Sequence, residues 1–159
     1  MTIDSSRVLV DTNVLLRQHE PLNAMHQTAN VALQTLTNKG VILCLSPQSL
    51  YEFWVVATRP VTARGGFGWS PSQTETELRR LEQTYTLLFT LESAIYREWR
   101  RLVSIYSVSG VVAHDARLVA VMKLHGIEEI LTFNTKDFAR YESENVRVLD
   151  PSQVVATTS

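Results

Sequence analysis

Five short apolar runs recur along the chain, with room for a helix or more between them. They are "RVLV" at 7–10, "VILCL" at 41–45, "TLLFTL" at 86–91, "EEILTF" at 128–133 and "VRVLD" at 146–150. Runs of this length, rich in Val, Ile and Leu without polar alternation, read as strands buried on both faces. The stretches between them carry helical spacing. Leu22, Met25, Ala29, Ala32, Leu33 and Leu36 form one stripe, stopped by Gly40. Ser46 and Pro47 supply an N-cap and a first-turn proline for "PQSLYEFWVVATR", which must end before Pro60. "SPSQTETELRRLEQTY" restarts a helix capped by Ser70 or Ser72. "SAIYREWRRLVSIYS" aligns Ile95, Trp99, Leu102 and Tyr106, and "HDARLVAVMKLHG" closes on Gly126. Strand–helix alternation of this kind predicts an α/β class fold, an α/β/α sandwich with a mainly parallel central sheet.

"RPVTARGGFGWSPS" is the one long irregular segment, and neither a repeat nor a linker interrupts the pattern. A chain of 159 residues is long enough for one real core, so residues 1–159 are expected to form a single domain. The last residues, "VVATTS", are expected to fray. Net charge is -1, which excludes a general attraction to polyanions; any nucleic acid must be held by local patches. Cys44 is the single cysteine and reads as a small buried hydrophobe. No run reaches the length of a membrane span, and "MTIDSSR" lacks the features of a signal peptide, so a cytoplasmic location without membrane partners is expected.

Several chemistries are excluded. The four histidines, His19, His26, His114 and His125, have no zinc spacing, and one cysteine builds no cluster. "GGFG" at 65–68 lacks a following Lys-Ser/Thr pair and does not follow a strand, so it is neither a phosphate loop nor a dinucleotide fingerprint. There is no G-x-S-x-G elbow. Asn13 stands where an Asp-x-Asp phosphatase would need its second acid.

Four acids stand in unusual places. Asp11 follows the first strand, where it would serve equally as an N-cap for a helix starting near Asn13. Glu52 is the only charge in "LYEFWVVA", so it is either on a narrow solvent stripe or partnered. Asp115 opens a helix, where the dipole alone would favour it. Asp137 lies just after the fourth strand, in a segment where it and Asn134 would also suit a turn. In a doubly wound sheet, groups beyond the carboxyl ends of strands gather on one rim. Converging carboxylates repel and raise one another's pKa. A hard dication removes that penalty, which points to Mg²⁺ or Mn²⁺, one or two ions.

"VLVDTNVLL", "SPQSLYEFWVVATRP", "HDARLVAVMKLHGIEEILTFNTKDFARY" and "VRVLDP" together resemble the PIN domain, and within it the VapC-type toxin ribonucleases. The loop "ATRPVTARGGFG" is similar to that of a subgroup carrying Arg-Pro and a Gly-rich segment there. The resemblance implies that Asp11, Glu52, Asp115 and Asp137 are catalytic metal-binding acids. Many members place the last acid where this chain has Asn134; others have Asn there and the acid in the Asp-Phe pair, which is Asp137. Thr12 and Thr132 match hydroxyls near the family site, and they would equally satisfy nearby backbone groups. The implied activity is metal-dependent hydrolysis of RNA phosphodiester bonds. The implied partners are an RNA substrate, a cognate antitoxin protein and a second copy of the chain in a homodimer.

For RNA to reach an acidic rim, Arg59 and Arg64 would contact backbone phosphates, and Phe67 or Trp69 would stack on a base. Arg97, Arg100 and Arg101 share a helix face that is either solvated or a partner surface. Two other functions fit the same residues: an RNA-binding PIN module that does not cut, and a PIN nuclease of RNA processing or structured DNA that is not a toxin. Keeping a repulsive acid cluster argues against the idle module.

Overall fold

The structure is a computed structural model that describes residues 6–156. Five strands form one sheet in the order β3-β2-β1-β4-β5. They are β1 (Arg7–Val10), β2 (Ile42–Leu45), β3 (Thr86–Leu87), β4 (Glu129–Leu131) and β5 (Arg147–Leu149). Every pairing is parallel, with Leu9 opposite both Cys44 and Ile130. The expected mainly parallel sheet is thus parallel throughout.

The pleat divides the core in two. Val8, Val10, Leu43 and Leu45 enter one cluster, while Leu9, Cys44 and Ile130 enter the other. The first side is covered by α1 (Thr12–Gln18), α2 (His26–Asn38), α3 (Pro47–Thr58), α4 (Pro71–Thr84) and α8 (Pro151–Ala156). The second is covered by α5 (Glu92–Ile105), α6 (Ala113–His125) and α7 (Thr135–Phe138). Cys44 is fully buried, as its apolar run requires.

Local chemistry sets the helix ends. Ser46 caps α3 and Pro47 occupies its first turn. Ser70, not Ser72, caps α4, in a reciprocal box with Gln73. Gly126 ends α6 in the left-handed conformation that a side chain would resist.

Three expectations need correction. The stripe assigned to the second helix began too early. Asn23 makes a turn instead, accepting from the Met25 amide, and Leu22 and Met25 are exposed. The third strand shrinks to Thr86–Leu87, with one more bond from the Leu88 amide to the Leu45 carbonyl. Its neighbour β2 stops there because Ser46 turns the chain into α3; beyond it Phe89 and Leu91 are exposed, and the Leu91 carbonyl accepts from the Ala94 and Ile95 amides at the start of α5. Val154–Ala156 of the terminal "VVATTS" do not fray. They continue α8, whose first turn is capped by Asp150 accepting from the Ser152 amide and whose Val154 is buried in the core. Residues 157–159 of that segment and residues 1–5 of the leader expectation lie outside the described residues.

Candidate functional site

The strand order reverses between β1 and β4. The chain steps outward from β1 through β2 to β3, then returns to the other side of β1. Such a switch point opens a crevice beyond the carboxyl ends of the two strands. Asp11 follows β1 there and Thr132 follows β4, and the Asp11 amide bonds the Leu131 carbonyl at 3.0 Å. Both are buried.

Asp11 is densely wired. Its Oδ1 accepts from the Thr12 amide at 2.7 Å, so it does cap α1. Its Oδ2 accepts from the Thr132 hydroxyl at 2.8 Å and from Asn13 Nδ2 at 3.3 Å. Capping and membership of the rim are therefore two uses of one carboxylate. Thr132 Oγ1 in turn accepts from Asn13 Nδ2 at 3.1 Å and from the Asn134 amide at 2.9 Å. Burial drives the Asp11 pKa up to about 6, with Glu52 and Asp137 adding repulsion and the Thr132 and Thr12 hydrogen bonds opposing.

Glu52 sits half-buried on α3, facing the same crevice. Its Oε2 accepts from the Thr12 hydroxyl at 2.6 Å and its Oε1 from Gln48 Nε2 at 3.1 Å. It is partnered and not stranded on a solvent stripe. Asp115 lies half-buried in the first turn of α6. Its pKa rises to about 7, first through desolvation and then through the charges of Asp11, Asp137 and Glu52, with Arg140 opposing. Asp137, on α7, thus acts on both raised acids. Asn134 contributes mainly through its backbone: its amide bonds Thr132, its carbonyl accepts from the Asp137 amide, and the residue itself is exposed.

The donor set is wholly oxygen and mutually repulsive, which suits a hard dication. Among the described residues no three His, Cys, Asp or Glu side chains are drawn into a ready-made cage. The fit therefore lies in charge and donor chemistry. Asp11 keeps room for an ion, since Oδ1 accepts a single bond.

The Gly-rich loop is placed differently from the acids. Its amides are tied back to α3, with Phe67 to Val56, Gly68 to Arg59 and Trp69 to Ala57. A Cβ at Gly66 would stand 2.4 Å from the Arg59 and Pro60 carbonyl oxygens, so only glycine fits this close approach. Trp69 packs 6.0 Å from the Phe53 ring and 5.3 Å from Phe67, which commits it to an aromatic cluster on the core. The rest of its surface is partly exposed. Arg59 shares a shallow groove with Glu52, Tyr51 and Val55, while its Nη1 bonds the Arg64 carbonyl at 3.2 Å. Arg64 is exposed. Of the triple-arginine face, Arg101 is consumed by Glu98 and Glu144, and Arg97 and Arg100 are exposed.

Sequence reasoning missed Asn13 and Gln48 as site residues. In the sequence Asn13 stands out only as a missing acid, although it donates to Asp11 and Thr132 and accepts from the Phe133 amide. Gln48 precedes Glu52 by four residues, the spacing that places two side chains on one helix face. That spacing was the available signal.

A parallel sheet in this order, with carboxylates gathered at its switch point, defines an α/β/α class built to concentrate negative charge at one edge. The PIN domain profile matches residues 8–144, and the chain belongs to the PIN domain family. Among solved structures, a toxin–antitoxin complex from Klebsiella pneumoniae is similar at 22% identity and a TM-score of 0.61, covering 91% of this chain and 97% of that one. FitAcB from Neisseria gonorrhoeae is similar at 20% identity and a TM-score of 0.58, with coverage of 91% and 97%. A VapC toxin of Mycobacterium tuberculosis that cleaves the sarcin-ricin loop is similar at 20% identity and a TM-score of 0.60, covering 83% and 93%. No curated protein matches the chain by sequence at a significant level. Among the described residues no helix is long and apolar enough to cross a membrane.

Proposed function

We propose that this protein is a Mg²⁺- or Mn²⁺-dependent endoribonuclease and the toxin of a type II toxin–antitoxin pair. The observation that carries the reading is the charge convergence at the β1/β4 switch point, where Asp11 and Asp115 are raised to about 6 and 7 and Glu52 and Asp137 are among the causes. A fold that buries mutually repelling acids is stabilised by a cation and is strained without one. The likeness to toxin–antitoxin structures supports the toxin assignment.

In this reading Asp11, Glu52, Asp115 and Asp137 hold the ion or ions directly or through water. A bound dication supplies Lewis acidity, acidifying a water and offsetting charge that develops on the phosphate. The chain's own groups do the orienting. Thr132 and Asn13 fix the Asp11 carboxylate, and Thr12 fixes Glu52. Near neutral pH Asp115 holds a proton for part of the time, and it would have to be ionised to hold a dication. Arg59, beside Glu52, and the exposed Arg64 meet RNA backbone phosphates. An antitoxin would cover this groove, and a second copy would complete a homodimer.

The test is cleavage of a mixed RNA pool with Mg²⁺, Mn²⁺ or EDTA, by wild type, Asp11→Asn and Asp115→Asn. Cutting should require the dication and fall at least about a hundredfold in each variant, beyond the loss typical of an outer-shell partner. Cutting that survives EDTA, or both substitutions, rejects the mechanism. One other reading of the same residues is an RNA-binding module that does not cut. RNA retained without cleavage under any dication identifies it.

A further inference from the structure

Gln48 is a buried amide whose hydrogen-bonding groups are all engaged. Its Nε2 donates to Glu52 Oε1 at 3.1 Å and to the His114 carbonyl at 3.1 Å. Its Oε1 accepts from Arg117 Nη1 at 3.2 Å, and Arg117 Nη2 reaches Glu92 at 2.8 Å. The orientation of the amide is settled by its surroundings: the nitrogen faces two acceptors and the oxygen faces an obligate donor. Few side chains can replace it. Glutamate has no donor when ionised, asparagine is one methylene shorter, and methionine of similar length has no donor for Glu52 or His114 and only a weak acceptor for Arg117.

The placement matters more than the bond count. Gln48 lies in the first turn of α3, one turn before Glu52. His114 immediately precedes Asp115 in the first turn of α6. One carboxamide therefore joins the helix carrying Glu52 to the turn carrying Asp115, across the crevice. Arg117, tied to Glu92 at the start of α5, braces the amide from behind. Resting on the nuclease reading above, we infer that Gln48 is a positioning residue: it locks the Glu52 carboxylate against the opening of α6 and thereby sets the spacing at which the acids of α3 and α6 close on a dication. It acts through Glu52 and does not itself touch the ion.

The experiment measures Mn²⁺ binding to the full-length protein by calorimetry, with the melting temperature in EDTA as control. The variants are Gln48→Met, Glu52→Ala and the double variant. Gln48→Met should weaken Mn²⁺ binding by about 10–100-fold, as loss of an orienting partner does. Its melting temperature in EDTA should stay within about 5 °C of wild type, the scale of one lost hydrogen-bond set. In the Glu52→Ala background the same substitution should change affinity less than about twofold, because the group it acts through is gone. Gln48→Met binding within about twofold of wild type overturns the inference, as does an effect that persists undiminished without Glu52. Where Gln48→Met does not fold, Arg117→Met replaces it, removing the brace while leaving Gln48 and Glu52 in place. Several-fold weaker binding that vanishes without Glu52 is then expected, and unchanged binding overturns the inference. Wild type that binds no Mn²⁺ overturns the nuclease reading together with this one; wild type that binds while Gln48→Met binds equally overturns this one alone.

Discussion

Asp11 and Asp115 share one rim and are both raised well above the usual carboxylate range, yet they are held in opposite ways. Asp11 is almost fully buried and accepts hydrogen bonds from Thr12, Asn13 and Thr132. Asp115 is half-exposed, and among the described residues no side-chain hydrogen bond reaches it. The first carboxylate is part of the architecture: it caps α1 and joins two strands. The second is a partly desolvated charge brought near other charges, with Arg140 opposing. Removing Asp11 should therefore damage structure as well as chemistry, whereas removing Asp115 should damage chemistry and relieve the structure.

The largest expected effect tests the raised pKa values themselves. Both acids bind protons more tightly folded than unfolded, with values of about 6 and 7 against 3.8. The unfolded chain releases those protons first, so stability falls as pH rises through this range and levels off above about pH 7–8. In EDTA the loss between pH 4.5 and 8 should be on the order of a few kcal/mol, read from urea melts at each pH. Glu144 works in the opposite sense: its hydrogen bonds to Arg101 hold it at about 2, so its contribution is lost only as pH falls below its ordinary value of 4.5. It leaves the window above pH 4.5 clear. A flat profile there would remove the electrostatic half of the comparison.

Next in size is Thr132→Val, which keeps shape but deprives Asp11 of a donor and the Asn134 amide of its acceptor, and leaves Asn13 Nδ2 with Asp11 alone. It should destabilise by about 1–3 kcal/mol, the range for buried polar groups left unpaired. No loss in a denaturant melt would mean that the wiring around Asp11 is incidental. Asp115→Asn should move the other way, gaining about 1–2 kcal/mol at pH 8 in EDTA after discounting for its exposure. Asp11→Asn should be the less stable of the two asparagine variants, because its new amide hydrogens meet a Thr132 oxygen that already accepts twice. Equal stabilities would collapse the distinction between the two acids. The smallest effect is Thr12→Ser, which preserves the hydroxyl bonded to Glu52 and should cost no more than about 0.8 kcal/mol, the worth of one buried methyl. A larger loss would show that the Thr12 methyl, and not its hydroxyl, holds that side of the rim.

Legibility in the sequence followed the range of the forces involved. Strand β1, the Ser46–Pro47 start of α3 and the Gly126 stop of α6 are written in a few adjacent residues, and they stand where local propensity puts them. Leu22 and Met25 mimicked a helical stripe because spacing alone does not reveal that Asn23 would bond the Met25 amide and turn the chain. "TLLFTL" looked like a full strand because nothing in it shows that its neighbour ends at Leu45. For the site, the four acids were visible as charges out of place. That Trp69 packs against Phe53 was not visible, since that contact exists only because the loop amides of Phe67 and Trp69 bond back to α3.

The order of apolar runs and caps was thus sufficient to define an alternating α/β chain with acids at the ends of its elements, because periodicity and capping act over a turn or two of backbone. The sheet order placed Asp11 beside Thr132, 121 residues away, and Gln48 beside His114, 66 residues away. Those meetings depend on which strands pair and how helices cross, which no local stretch encodes. The desolvation that lifts Asp11 and Asp115 likewise exists only once the surrounding core has closed.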